Sequence, residues 1–222
     1  MRRIVARHPG VPFWLCVGDI ARDGAGPRYE SLGASIYWIH GNNDDFDAIA
    51  AGELPPDLHH IANGTAIDIR GPGQPGGGHN VTVAGLGGTF APTWYESRAA
   101  DLPHPRKRTA KATELADKRR HFLREEVAAC TRLHGIDVFM THEAATPFRA
   151  LPGGRGPDAG KSQINEVLTA MRPRLHLFGH HHRFSDAMRD GVRSIGLDLV
   201  TSSYLLVDAA SHEIQVIKSQ DR

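Results

Sequence analysis

The side chains best placed to do chemistry in this sequence each follow a short apolar run. Residues 175–178, Leu-His-Leu-Phe, read as a buried strand that runs into Gly179-His180-His181-His182. Successive side chains at a strand end point to opposite sides. His180 and His182 are therefore expected to converge on one point while His181 faces away. Two neutral imidazoles aimed at one point suit a borderline divalent cation; a solvated polar loop is the competing reading. The same layout recurs as Gly18-Asp19 after residues 12–17, as Gly41-Asn42-Asn43-Asp44-Asp45 after 35–40, and as Thr141-His142-Glu143 after 136–140. A turn or cap is the ordinary alternative for Asp19. Asp44 or Asp45 is expected to cap a helix beginning near residue 45, leaving Asn42 to face the site. Together Asp19, Asn42, His142, His180 and His182 make an oxygen and nitrogen ligand set, suited to Mn, Fe, Zn or Ni rather than to a thiolate site.

The elements that must position these groups are short. Open α/β sheets place ligand sites beyond the carboxyl ends of their strands. Residues 65–70 alternate apolar and polar, and residues 80–86 return as a second strand across the Gly/Pro-rich 71–78, so the two are expected to pair. His59, His60 and His79 sit beside turns and are expected to be exposed. The glycines at 85, 87 and 88 would allow close backbone approach, a tight bend being the milder explanation. Residues 109–133 carry the longest helical pattern, with Leu115, Phe122, Val127 and Leu133 as a broad apolar stripe. Arg106, Lys107, Arg108, Lys111, Lys118, Arg119, Arg120 and Arg124 make its other face basic. Such a run is ordinarily a solvated face; contact with phosphate or nucleic acid is the sharper reading. Residues 144–159 form a Pro/Gly-rich loop of lid length. Residues 161–171 read as a helix stopped by Pro173, and short turn-separated strands follow, with Asp190-Gly191 as a tight turn.

The chain has 222 residues, enough for one α/β domain. A net charge of +1 argues neither for nor against a nucleic-acid partner. Two separated cysteines, Cys16 and Cys130, suit a reducing cytoplasm rather than a disulfide scaffold. No apolar run approaches a membrane span, and the N-terminus lacks the long apolar core of a signal peptide. Among 14 histidines, most are expected on the surface.

In their order, Gly18-Asp19, Gly41-Asn42-Asn43-Asp44, Thr141-His142 and Gly179-His180-His181-His182, these motifs resemble the calcineurin-like metallophosphoesterase superfamily. The resemblance covers most of the chain. It implies a sandwich of two mixed β-sheets flanked by α-helices, and hydrolysis of phosphomonoesters or phosphodiesters at two divalent metal ions. By resemblance Asp19 bridges the two metals, Asn42, His142 and His180 complete one site, and His182 belongs to the other. Residues 119–127 and 136–143 are also similar in texture to the lariat debranching enzymes, which does not by itself carry an RNA substrate over.

The chain departs from the family pattern twice. The family opens with an Asp-x-His motif on its first strand, and this chain has none; residues 1–9 look like the tail of the helix that follows that strand. The fold is therefore expected to lack its first strand. The chain would be a single domain over 1–222, N-terminally incomplete, with the ligands of one metal site rather than two. The family also often has His after Gly-Asn, as proton donor or phosphate contact; here Asn43 stands there and cannot protonate a leaving group. Asn43 and His142 are expected beside the reacting phosphate, with diesters or good leaving groups preferred. The expected function is a cytoplasmic metal-dependent phosphoesterase, a phosphodiesterase by preference, acting on a phosphate ester such as a nucleotide or nucleic acid. A non-catalytic member of the fold serving as a binding surface is the rival, and a nucleic-acid binder using the basic run is a third reading. The oligomeric state is left open.

Overall fold

The computed structural model describes residues 1–21, 28–70, 80–104, 116–151, 153, 155–208, 211 and 213–219. The expectations for 71–79, and for the part of the basic run within 105–115, lie outside these. Most of the core sits on one six-stranded sheet. Its central strands β5 (Asn80–Leu86), β6 (Val138–Thr141), β7 (Leu175–Phe178) and β9 (Val192–Gly196) are parallel neighbours. Every residue of β6 and β7 is buried, which is why both read as continuous apolar runs rather than alternations. The flanking strands β4 (Ala66–Arg70) and β8 (Ser185–Arg189) are antiparallel to their neighbours, giving the spatial order β4-β5-β6-β7-β9-β8. The expected pairing of 65–70 with 80–86 is present, and Asp190-Gly191 turns between β8 and β9 with both residues at positive φ.

The strand pleat divides the core into layers. Phe139 and Leu86 face helices α3 (Arg124–Cys130) and α4 (Ser162–Met171), packing with Val127, Ile164, Val167 and Leu168. Their strand neighbours Val138, Met140 and Val83 face the other way, onto Val17, Ile39 and Ile61 beside a smaller sheet. That sheet is β1 (Trp14–Cys16), β2 (Ile36–Trp38) and β3 (Leu58–His60), all parallel. Behind it Trp14, Ile36 and Trp38 pack with Ile4 of α1 (Arg2–Arg7) and Tyr204 of β10 (Ser203–Val207). The hairpin of β10 with β11 (Ile214–Lys218) is a separate two-stranded ribbon. Helix α2 (Phe46–Ala51) starts at Asp45, whose carboxylate accepts from Ala48 N at 3.2 Å, and ends at Gly52 in the left-handed region.

Two expectations are corrected. The long helix over 109–133 does not exist in its described part. Lys118–Arg120 is one 3-10 turn, His121 forms a β-bridge with Thr89, and α3 begins only at Arg124. Leu123 is extended, and its N–H donates to the Glu126 carboxylate at 2.8 Å, so a new helix starts there instead of one continuing through. His59 and His60 are not exposed: both are half-buried in β3, with His59 stacked on Tyr37 and His60 3.3 Å from His40.

Candidate metal centre

Parallel register brings the polar groups to one edge. Cys16 pairs with Trp38 in the small sheet, and Thr141 with Phe178 in the large one. The segments after them, which carry Asp19, Asn42, His142 and His180, leave the strands in the same direction, and the two sheets pack face to face through Val17, Ile39 and Met140. All four site segments therefore meet beyond the carboxyl ends of both sheets.

His142 is the hub. It is 1% exposed, and its Nδ1 lies 2.7 Å from the Val17 carbonyl. A carbonyl oxygen only accepts, so Nδ1–H donates to it, and the tautomer that carries its proton there presents its lone pair at Nε2. Around Nε2 lie Asn42 Oδ1 at 3.0 Å, His180 Nδ1 at 3.2 Å and Asp19 Oδ2 at 3.7 Å. Ligands held about 2.0–2.2 Å from one cation stand about 2.8–3.6 Å apart at octahedral to tetrahedral angles, so the His142, Asn42 and His180 contacts fit one coordination shell and Asp19 sits at its margin. No group of three or more His, Cys, Asp or Glu side chains among the described residues forms a metal-holding cluster. The set closes only with the amide oxygen of Asn42. Burial, reinforced by His142, pushes the His180 pKa down to about 4, leaving the neutral imidazole that ligates cations.

The loops that present these groups are held by a residue expected only as a cap. The buried carboxylate of Asp44 accepts from Gly41 N at 2.6 Å, Asp19 N at 2.9 Å, Ala21 N at 3.0 Å and Ile20 N at 3.1 Å. One side chain thus ties the Asp19 loop to the Asn42 loop. Burial raises its pKa while the backbone donors oppose that shift. The loops cross so closely that a Cβ on Gly18 would stand 2.6 Å from His142 Nδ1 and 2.7 Å from Gly41 N, and Gly18 has φ +107°. Asp19 and His180 adopt positive φ without being glycine. Each such residue costs on the order of 1–3 kcal/mol and persists only where its surroundings fix it.

Asn43 grips Asp19 rather than standing apart. Its N–H donates to Asp19 Oδ1 at 2.8 Å and its Nδ2 to Oδ2 at 3.0 Å. Arg120 reaches the same place, donating through Nη2 to the Asn42 carbonyl and standing 3.5 Å from Asn43 Oδ1. Its position was hidden in the basic run. Lys161, which follows the Pro/Gly-rich loop, has its Nζ 3.4 Å from Glu143 Oε1. His181 turns away as expected and packs on Phe148 with ring centroids 4.7 Å apart. His182 is the outlier: it is exposed, and among the described residues no hydrogen bond or ion pair holds it.

His182 looks onto a cavity of about 1430 Å³, larger than the about 300–1,000 Å³ of ordinary ligand pockets. Residues of β1 and β10 line it, with Val138, Leu175 and Leu177 of the large sheet, and it reaches Asp19 and His180. Among the described residues β1 pairs only with β2 and β10 only with β11, so both strands present a free edge.

A family model described as calcineurin-like phosphoesterase matches residues 1–184. No curated protein matches the chain. Among solved structures, TT1561 of Thermus thermophilus is similar over 85% of this chain and 74% of its own, with 15% identity and a TM-score of 0.53. A second solved structure is similar over 85% of this chain and 67% of its own, with 14% identity and a TM-score of 0.56. At such identities these two show the fold alone.

Proposed function

The chain belongs to the calcineurin-like phosphoesterase family, a family of metal-dependent phosphoesterases, and from that premise we propose that it hydrolyses a phosphodiester at a cation centre built on His142. The observation that carries this reading is the convergence on His142 Nε2 of Asn42 Oδ1, His180 Nδ1 and, more distantly, Asp19 Oδ2. These four would hold one divalent ion, of Mn, Fe, Zn or Ni by donor type. Bound there, the ion supplies a water acidified toward neutral pH and neutralisation of phosphate charge.

The rest is work of this chain's own residues. The Val17 carbonyl holds the His142 tautomer, since the partner of the second ring nitrogen decides which nitrogen is free to ligate. Asp44 fixes the separation of the Asp19 and Asn42 loops. Asn43 orients the Asp19 carboxylate through both oxygens. An amide has no proton to give an alkoxide, so the leaving group must depart as a stable anion. This supports aryl diesters, which leave a stabilised phenolate, over unactivated alkyl monoesters as substrates. The resemblance to lariat debranching enzymes does not extend the reading to RNA.

A second cation needs more ligands than Asp19 and His182. The cavity between β1 and β10 supports the reading that one further strand, running between the two free edges, would bring them. Translating the DNA upstream of Met1 in frame tests this. An Asp-x-His pattern followed by a helical one supports it, and a stop codon removes the two-metal version. The exposed, unheld His182 favours one alternative, a family member that binds without hydrolysing. A reducing compartment fits the two free cysteines, whose thiol pKa values burial pushes up to about 12. Among the described residues no helix is long and apolar enough to cross a membrane.

Chelator-stripped protein assayed on bis(p-nitrophenyl) phosphate with and without Mn²⁺ separates enzyme from binder. Mn²⁺-dependent turnover is expected, with aryl diesters hydrolysed faster than alkyl monoesters. Absence of turnover at every metal tried would favour the binder, and equal rates on the two ester classes would remove the diester reading.

A further inference from the structure

We infer that Arg120 is an anion subsite that grips the non-bridging oxygens of a phosphate beside the cation centre. This rests on the proposed phosphoesterase reading and adds a residue to it.

Neighbouring arginines of one 3-10 turn differ in their carboxylate partners. Arg119 is saturated: its guanidinium bonds Asp117 Oδ1 at 3.0 Å and Oδ2 at 2.6 Å, and Asp47 Oδ1 at 2.6 Å. Those carboxylates raise its pKa further. Arg120 reaches the loop just before α2, and among the described residues no carboxylate pairs with it. Its partners are the Asn42 carbonyl and, at 3.5 Å, Asn43 Oδ1. Both belong to the loop that holds Asp19. A guanidinium has five N–H donors in a planar fork, and these contacts use only Nη2. Among the described residues, Nη1 and Nε are left for a ligand.

The position is built rather than incidental. The Arg120 carbonyl accepts from Thr89 N at 2.9 Å, and a Cβ on Gly88 would meet that carbonyl at 2.7 Å. Gly88 N in turn donates to the His40 carbonyl at 2.9 Å, one residue before Gly41. The backbone under Arg120 is thus fastened to the segment that carries Asn42. Arg120 as a residue is half-buried.

Of the other cations near the site, Lys161 faces Glu143, Arg183 bonds the carbonyls of Arg149 and Leu151, Arg149 bonds the carbonyl of Gly156 at 3.2 Å, and Arg28 bonds the Asn43 carbonyl at 3.0 Å. At Arg120 a planar fork with no counter-ion among the described residues, fastened to the loop of the proposed ligands, matches two oxygens of a phosphate.

Calorimetry of inorganic phosphate on Mn²⁺-supplied protein tests this directly, in wild type, Arg120→Gln, Arg120→Lys and the surface control Arg124→Gln. Mn²⁺ affinity and bis(p-nitrophenyl) phosphate hydrolysis are measured on the same samples. Loss of a hydrogen bond to a charged group corresponds to about 10–100-fold in affinity. The expected result is a phosphate Kd raised by that factor in Arg120→Gln, less in Arg120→Lys, and not in Arg124→Gln, with Mn²⁺ affinity unchanged. If hydrolysis is present, KM rises by the same factor while kcat changes less. Wild-type phosphate affinity in Arg120→Gln, or no phosphate binding by the wild type, would overturn the subsite. So would a matching loss of Mn²⁺ affinity in Arg120→Gln, because Arg120 would then act through Asn42. Phosphate binding that obeys the expected pattern without any hydrolysis overturns the enzymatic reading and leaves the subsite standing.

Discussion

The Asn42–His142–His180 side of the site and the His182 side differ in what stands behind them. His142 is fixed at one ring nitrogen by the Val17 carbonyl, and Thr141, just before it, holds His176 at 2.8 Å. His176 in turn meets Ser194 at 3.1 Å, deep in the large sheet. Asn42 belongs to a loop clamped by Asp44. His182 has none of this: it is exposed on the wall of a large cavity between two free strand edges. A donor atom becomes a preorganised ligand only when a buried partner fixes its orientation. Proximity in sequence to another histidine does not do it.

The largest expected effect comes from breaking the fixed side at its hub. His142→Ala should reduce Mn²⁺-dependent turnover by more than the about 10–100-fold that follows loss of a ligand's outer partner, read as kcat/KM. Next is Asp44→Ala. It leaves four backbone N–H groups without their acceptor, and unsatisfied buried donors cost about 1–3 kcal/mol each where water does not replace the partner. Urea unfolding should show a loss on the order of 3 kcal/mol, with weaker Mn²⁺ binding alongside. A variant as stable as the wild type would show that the loops are held by something else.

The pH dependence of stability probes the core beneath the fixed side. Burial lowers the pKa of His176 and of His40 to about 3, and of His60 to about 4. A histidine with a depressed folded pKa binds fewer protons folded than unfolded. Its contribution to stability is therefore present above the unfolded value of about 6.5 and is lost as pH falls toward the folded value. His40 and His60 stand 3.3 Å apart and titrate as a pair. Urea midpoints should fall steadily from pH 7 to pH 4, and His176→Gln should flatten that slope. The smallest effect is expected on the open side. His182→Ala should change stability by less than about 0.5 kcal/mol and leave tight Mn²⁺ binding in place. A loss of that binding would erase the contrast between the two sides.

The parts legible in the sequence were those in which burial acts on consecutive residues. Residues 136–140 and 175–178 lie between two layers, so their strands are nearly all apolar, and the glycine or polar group that ends each one stands out. The helix at 161–171 showed itself because Ile164, Val167, Leu168 and Met171 share one buried face. Asp44 was not legible as a clamp, because a carboxylate before a helix looks the same whether it caps that helix or turns inward to another loop. Arg120 was not legible because only a tertiary contact distinguishes it from Arg119. His60 was misjudged because a β3 of three residues has no periodicity to show which side is covered.

The central question is whether His142 anchors a cation. The direct measurement is the number of tightly bound Mn²⁺ ions per chain, by calorimetry on chelator-stripped wild type and His142→Ala. The prediction is one ion in the wild type and none in the variant; no tight ion in the wild type, or one that survives the substitution, would contradict it.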